Sequence, residues 1–347
     1  MKKKILLSFC IPTYNRPIQF GRLIKQLAPQ ITDEIEIVIR DDSPNELTKE
    51  IVERELKDCD APVRYFKGEK IGLDIANLFL LEKAEGKWMW WFSDDDELMP
   101  GAIEHTLNVF KKHPDIDFMW VNFAYGNDRK LAIHLPEERF FKDRNEVFEL
   151  LGPNIGLLST LIIKRKKGLL FLGLGRKHSI GFAFAALIPV FGSLSGDGRF
   201  YFLRGPYIFN NPTTIEEIKN ITTKKGSIEN PAFDVFGVNF YETVMLFRDS
   251  FSKKAVKKLL ATNFAALWRG MLVGWIGGWD TPKGKRWRMF KLYWSYPECW
   301  IALPIMLMPL WVNRGLYRVY KIFFSHRKFV FGERLNTFFR KDINEKK

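Results

Sequence analysis

The strongest constraint in this sequence is an alternation of strand and helix patterns that runs from Ile5 to Phe123. Ile5 to Ile11 is a short apolar run closed by Pro12, and it reads as a buried strand. Ile18 to Leu27 then carries Phe20, Leu23, Ile24 and Leu27 at helical spacing. The cycle repeats with strands at Ile35–Ile39, Val63–Phe66, Trp88–Phe92 and Phe118–Phe123. Helices fall between them at Leu47–Leu56, Ile75–Ala84 and Pro100–Lys112. Such alternation predicts an α/β fold, a mixed and mostly parallel sheet flanked by helices.

A sheet of this kind dictates where chemistry can sit. Ligands bind beyond the carboxyl ends of its strands, where the helices begin. Three polar turns follow strands directly: Thr13-Tyr14-Asn15-Arg16, Asp41-Asp42-Ser43 and Ser93-Asp94-Asp95-Asp96. All three are expected at one edge of the sheet, as one site. Adjacent carboxylates repel one another unless a cation offsets them. A hard divalent cation takes oxygen ligands, often one or two carboxylates together with substrate phosphates. The triplet Asp94, Asp95 and Asp96 suits that role, and it equally suits the solvated start of the helix at Pro100. Asp41 or Asp42 suits a nucleobase N–H or a helix cap, a task open to Ser43 and Asn45 as well. Thr13 to Arg16 offers an aromatic face, an amide and a cation to a base and a phosphate, or forms a plain capping turn.

The segment Ser8-Phe9-Cys10-Ile11-Pro12-Thr13-Tyr14-Asn15-Arg16 resembles the opening strand of family 2 glycosyltransferases, which have the GT-A (Rossmann-like) fold. Arg40-Asp41-Asp42-Ser43 is similar to their second-strand turn. Gly72, Asn77 and Ala84-Glu85-Gly86-Lys87 resemble the helix before their metal strand, and Ser93-Asp94-Asp95-Asp96-Glu97-Leu98-Met99-Pro100 resembles their DxD turn. The four elements lie in register across residues 5–125. The resemblance implies a nucleotide-sugar site of Pro12, Thr13, Tyr14, Asn15, Arg16, Asp41, Asp42, Gly72, Asn77 and Asp94. Within it Pro12, Thr13, Tyr14 and Asp42 would meet the base and ribose. Asp95 would be the main metal ligand, with Asp96 beside it and Asp94 near the ribose or the metal. Mg²⁺ or Mn²⁺ would bridge the donor diphosphate as a Lewis acid. Ser93 stands where the family usually keeps an acid.

Family 2 enzymes usually invert the anomeric centre by direct displacement, which needs a proton acceptor for the attacking hydroxyl. The family's usual acidic motif is not evident in the second half of the domain. Between Lys164 and Phe209 the only acid is Asp197, and His178 is the other proton acceptor. Both are candidates for the catalytic base, and both also read as surface loop residues. This stretch looks more like the abequosyltransferase-like branch, which builds bacterial surface polysaccharides.

Beyond the sheet the pattern changes. Residues 1–212 are expected to form the nucleotide-sugar-binding domain, and 213–347 a helical, basic, Trp-rich extension. The net charge is +14, yet from Phe251 to Lys347 there are 20 Lys and Arg against 5 Asp and Glu, so the whole excess sits there. Seven of the 11 tryptophans lie there too, among them Trp294, Trp300 and Trp311. Amphipathic indoles and cations favour the headgroup zone of an anionic bilayer. Stacking on single-stranded nucleic acid and plain packing are the competing readings, and nucleic acid is not the expected partner. No segment has the roughly 20 apolar residues of a spanning helix. Three cysteines without metal or disulfide spacing, and no signal peptide, suit a reducing compartment. The expectation is a cytoplasmic enzyme, peripheral on the inner face of the cell membrane. It would move a sugar from a nucleotide-diphosphate donor, a UDP-sugar first, to a lipid-linked or cell-surface glycan. The alternatives are a polyprenyl-phosphate sugar synthase and a non-catalytic glycan-binding scaffold.

Overall fold

The computed structural model describes residues 5–126, 128–178, 184–210, 237–276 and 290–309, with 311, 312, 315, 316, 318 and 319. The chain forms two compact units. One is Met1–Asn211 with Phe247–Ala255, and the other is Pro212–Leu246 with Val256–Lys347.

The first unit holds the sheet. Its strands are β1 (Leu7–Thr13), β2 (Ile35–Asp41), β3 (Val63–Lys67), β4 (Trp88–Trp91), β5 (Glu97–Leu98), β6 (Ile116–Tyr125), β7 (Lys130–Leu131), β8 (Arg139–Phe140), β9 (Leu161–Lys164) and β10 (Arg199–Asn210). Among the described residues the order is β3-β2-β1-β4-β9-β6-β10-β5, with β7 on β6 and β8 on β10. β3, β2, β1 and β4 run parallel. β9 is antiparallel to both β4 and β6, so β6 regains the direction of β4, and β10 pairs parallel with β6. The helices are α1 (Pro17–Leu27), α2 (Leu47–Glu55), α3 (Leu73–Lys83), α4 (Ala102–Lys112), α5 (Arg144–Leu151), α6 (Arg165–Leu169), α7 (Leu172–His178) and α8 (Leu187–Ser195). This is the mixed α/β, mostly parallel arrangement expected from the alternation.

Every residue of β1, β2 and β4 is buried, which suits the apolar runs of β1 and β4, while β2 buries Glu36, Arg40 and Asp41 among its apolar residues. The indoles of β4 are buried, Trp88 and Trp90 on one face of the strand and Trp91 on the other. Trp88 Nε1 donates to Ile116 O at 2.8 Å, Trp90 Nε1 to Ser159 O at 2.7 Å and Trp91 Nε1 to Asn77 O at 3.2 Å. Each buried N–H is therefore satisfied while its ring fills the core. At the opposite edge the fully buried Glu36 accepts from Ser8 Oγ at 2.5 Å and from the Gly86 N–H at 3.2 Å. A Cβ on Gly86 would lie 2.7 Å from the Ser8 nitrogen, so only glycine lets the chain enter β4 this close to β1.

Arg199 to Asn210 reads from the sequence as strands around Gly205-Pro206. It is one strand, β10, whose register on β6 shifts between Leu203 and Ile208 across the cis Gly205–Pro206 bond. In the second unit, helix Phe240–Leu246 buries Phe240, Thr243 and Val244. Tyr293 OH donates to Gly237 O at 2.8 Å, and its ring stacks on Phe264 with centroids 4.6 Å apart. Trp294, Trp300, Leu307 and Trp311 are exposed. No helix among the described residues is long and apolar enough to cross a membrane. Much of the basic stretch, including Trp279, Trp287 and residues 320–347, lies outside the described residues.

Candidate active site

The three polar turns meet at the carboxyl edge of β1, β2 and β4, and hydrogen bonds tie them together. Thr13 Oγ1, at the end of β1, donates to Asp94 Oδ2 at 2.7 Å. Arg16, just before α1, reaches Asp94 Oδ1 at 3.0 Å and Asp95 Oδ2 at 3.2 Å. The first turn also meets the second. The Thr13 carbonyl accepts from the Asp42 N–H at 3.1 Å, and the Asn15 N–H donates to Ser43 Oγ at 2.7 Å. Asn15 takes φ 56°, a left-handed conformation that asparagine tolerates better than most residues. Pro12 is buried within β1.

The acids of these turns have different surroundings. Asp41 is fully buried and accepts from the Ser43 N–H at 2.8 Å, Tyr65 OH at 2.5 Å and Lys67 Nζ at 3.4 Å. It ties β2 to β3. Asp42 accepts from Arg40 Nε at 2.6 Å and from the Ile71 N–H at 3.0 Å, which joins the second turn to the approach of α3. Lys70 in that approach sits over the Tyr14 ring, 4.1 Å from its centroid. Gly72 follows at φ 89°. Asn77 lies in the second turn of α3, buried, with its carbonyl taken by Trp91.

In the acidic turn, burial is the largest influence on Asp94 and lifts its carboxyl to about 6; Arg16 opposes this, the Asp95 charge adds to it, and the Thr13 hydroxyl opposes it. Asp96 has both oxygens engaged: Oδ2 accepts from Ser159 Oγ at 2.6 Å, and Oδ1 accepts from Asn210 Nδ2. Ser159 Oγ also accepts from the Ser93 N–H at 2.9 Å. Neither Ser159 nor Asn210 is signalled by the sequence pattern. Arg22 of α1 donates to the Asp95 carbonyl at 2.9 Å.

A divalent metal fits this turn in one way. Among the described residues no three His, Cys, Asp or Glu side chains converge as a ligand set. Asp94 and Asp96 each spend both oxygens on hydroxyl, amide or guanidinium donors. Asp95, whose Oδ2 lies 3.2 Å from Arg16, is the carboxylate of the turn that would hold such a cation, which would supply Lewis-acid neutralisation of a diphosphate.

The candidates for the base separate. Asp197 precedes β10, beside the start of β6, at the edge opposite the three turns. Its side chain is fully exposed, and its carbonyl accepts from Lys167. The length of the strands therefore lies between Asp197 and the three turns. His178 is the half-buried last residue of α7, which packs on α3 and α8.

Residues 8–167 match the model of the family described as Glycosyl transferase family 2. The GalNAc(5)-diNAcBac-PP-undecaprenol beta-1,3-glucosyltransferase of Campylobacter jejuni is 33% identical over 103 residues, covering 29% of this chain and 33% of that protein. Abequosyltransferase RfbV of Salmonella typhimurium is 25% identical over 187 residues, covering 47% of this chain and 54% of that one. The matches to these two relatives thus span a third to about half of their length. Among solved structures, S. aureus TarS 1–349 in complex with UDP-GlcNAc has a TM-score of 0.53 at 16% identity, covering 91% of this chain and 92% of that one. The mannosyltransferase PcManGT of Pyrobaculum calidifontis, in complex with GDP-Man and Mn²⁺, has a TM-score of 0.52 at 13% identity, covering 99% and 89%. These likenesses of structure are likenesses of fold.

Proposed function

We propose that this chain, whose residues 8–167 match the family 2 glycosyltransferase model, transfers a sugar from a nucleotide-diphosphate donor to a hydroxyl of a lipid-linked glycan. The observation that carries the reading is the joining of the turns after β1, β2 and β4 into one polar edge through Thr13, Arg16, Asp42 and Asp94. On this reading Tyr14 and the Asp42 turn receive the base and ribose. Arg16 and Asp95 face the diphosphate. Bound there with Asp95, Mg²⁺ or Mn²⁺ supplies Lewis-acid neutralisation of the leaving diphosphate. The displacement inverts the anomeric carbon. A UDP-sugar is the first donor to try, since a protein of the same fold was crystallised with UDP-GlcNAc. The lipid-linked acceptor is supported by the Campylobacter relative, whose name carries a PP-undecaprenol substrate. The exposed Trp294, Trp300 and Trp311 and the basic composition of the C-terminal stretch support attachment to the inner face of the cell membrane.

The test is donor binding by calorimetry with a panel of nucleotide-sugars and Mn²⁺, followed by transfer to undecaprenyl-diphosphate glycans. Asp95→Ala is expected to remove the Mn²⁺-dependent part of donor affinity, at least tenfold, and to lower transfer by about 10²-fold or more. Unchanged metal dependence in that variant would refute the role of Asp95. Absence of both binding and transfer in the wild type would refute the function.

A further inference from the structure

An acceptor hydroxyl attacking an anomeric carbon has to give up its proton, and the residue that takes it has to stand at the edge that holds the donor. Most carboxylates of that edge already have other tasks. Asp41, Asp42, Asp94 and Asp96 each have both oxygens held by protein donors, and Asp95 faces the diphosphate. Asp74 differs. It is the second residue of α3 and is 8% exposed. Its Oδ1 accepts from the Ala185 N–H at 3.0 Å, and among the described residues Oδ2 has no hydrogen-bond partner.

The surroundings of α3 bring this carboxyl to the site. Just before the helix, the Ile71 N–H holds Asp42 and Lys70 covers Tyr14, so the helix starts beside the turn assigned to the base. Gly72 borders open space, because a Cβ built there meets nothing within 4 Å. One turn beyond Asp74, on the same face, Asn77 is 2% exposed and its Oδ1 has no partner among the described residues. The Asn77 carbonyl accepts from Trp91, whose strand feeds the acidic turn. The start of α3 therefore links the Asp42 turn to the Asp94 turn, and it presents a clamped carboxyl and an unsatisfied amide oxygen.

We infer that Asp74 is the catalytic proton acceptor for the sugar-accepting hydroxyl, an assignment that rests on the transfer reaction proposed above. The hydroxyl proton passes to Asp74 Oδ2. The acceptor oxygen forms its bond to the anomeric carbon. The bond from that carbon to the phosphate oxygen breaks, and its electron pair leaves with the nucleoside diphosphate. The Ala185 N–H fixes the carboxyl while leaving the second oxygen for the substrate. Burial raises Asp74 to about 8, with the Ala185 hydrogen bond opposing it. A base poised near neutrality suits this proton transfer. The titratable groups on the elements packed against α3 are Cys10 on β1, Glu36, Arg40 and Asp41 on β2, Arg64, Tyr65 and Lys67 on β3, Arg165, Lys166 and Lys167 on α6, and Arg176, Lys177 and His178 on α7. Arg40 serves Asp42, Arg165 serves the last carbonyls of α3, and Arg176 pairs with Glu82; none of these groups contributes to the Asp74 shift.

The experiment compares the wild type, Asp74→Asn and His178→Gln for donor binding by calorimetry and for transfer from pH 6 to about 9.5, a window set around this raised carboxyl. Asparagine keeps an oxygen for the Ala185 N–H, so a folded variant with unchanged donor affinity is expected. Its kcat should fall about 10²- to 10⁴-fold. In the wild type kcat/KM should rise with pH through about 8, since the base acts only when deprotonated, and that limb should vanish in Asp74→Asn. The wild-type profile needs no variant to fold: a flat profile across this range overturns the proposal. Transfer by Asp74→Asn within fivefold of wild type, or loss of the limb in His178→Gln instead, overturns it while leaving the transferase reading intact. A wild type that neither binds donor nor transfers sugar overturns both.

Discussion

Asp96 has its two carboxylate oxygens taken by Ser159 and Asn210, residues 63 and 114 positions further along the chain. From the sequence, three consecutive acids at a turn are interchangeable, and both Asp95 and Asp96 are expected as metal ligands. What tells them apart is partners from β10 and from the segment before β9, and no local pattern reports these. Arg16 and Thr13 are nearer cases. They stand in the turn already marked as functional, but their attachment to Asp94 appears only once β1 and β4 are paired. Asp74 is legible as a residue two places after Gly72 and illegible as a buried carboxyl, since Ala185 comes to it from 111 positions away. Ser159 offers a direct check of the Asp96 arrangement. Its hydroxyl bridges the Ser93 N–H and Asp96, both within the turn. Ser159→Ala is expected to cost about 1–3 kcal/mol of stability, the range for a lost buried hydrogen bond to a charged group. Urea unfolding measures it, and a change below about 0.5 kcal/mol, the scatter of a surface substitution, would mean that other groups hold the turn.

At the level of elements, the first half of the domain is readable because β1 and β4 are apolar runs and α1 and α4 have clear apolar faces. Phe20, Leu23, Ile24 and Leu27 of α1 are all buried, as their spacing requires. The second half resists for a topological reason. β9 is only four residues long and runs against its neighbours, so it delivers the chain to the edge away from the site. A strand whose direction is reversed has the same composition as one that is not. Asp197 misleads for this reason: it precedes a strand that is parallel to β6, and it stands at the wrong end of it. Among the described residues, the chain meets Asp74 again between α7 and α8, through Ala185.

For the whole molecule, the charge is segregated along the chain. From Phe251 onward 20 cations face 5 acids, a surplus of 15 positive charges, and the residues before that are close to neutral. Each cation near an anionic leaflet contributes about 1 kcal/mol at low salt. The protein should sediment with phosphatidylserine vesicles, stay in solution with neutral ones, and be released as salt rises. Replacing the exposed Trp294 and Trp311 by serine should weaken this sedimentation several-fold. Equal binding to neutral vesicles, or none to anionic ones, would refute attachment of this kind. The path of the chain has a separate consequence. Phe247 and Phe251 belong to the first unit: Phe251 stacks on Phe148 with centroids 3.9 Å apart, and Phe247 meets Phe171 and Phe191 edge-on. A fragment ending at residue 211 would leave that aromatic nest empty. It should be less stable in urea than the full chain by about 3–5 kcal/mol, the cost of losing one large buried aromatic. A fragment with unchanged stability would contradict this. For inheritance, the sheet is not a cassette that one crossover can transplant: a recombination event that moves it between genes has to carry the downstream aromatic pair as well, or the recipient receives an incomplete domain.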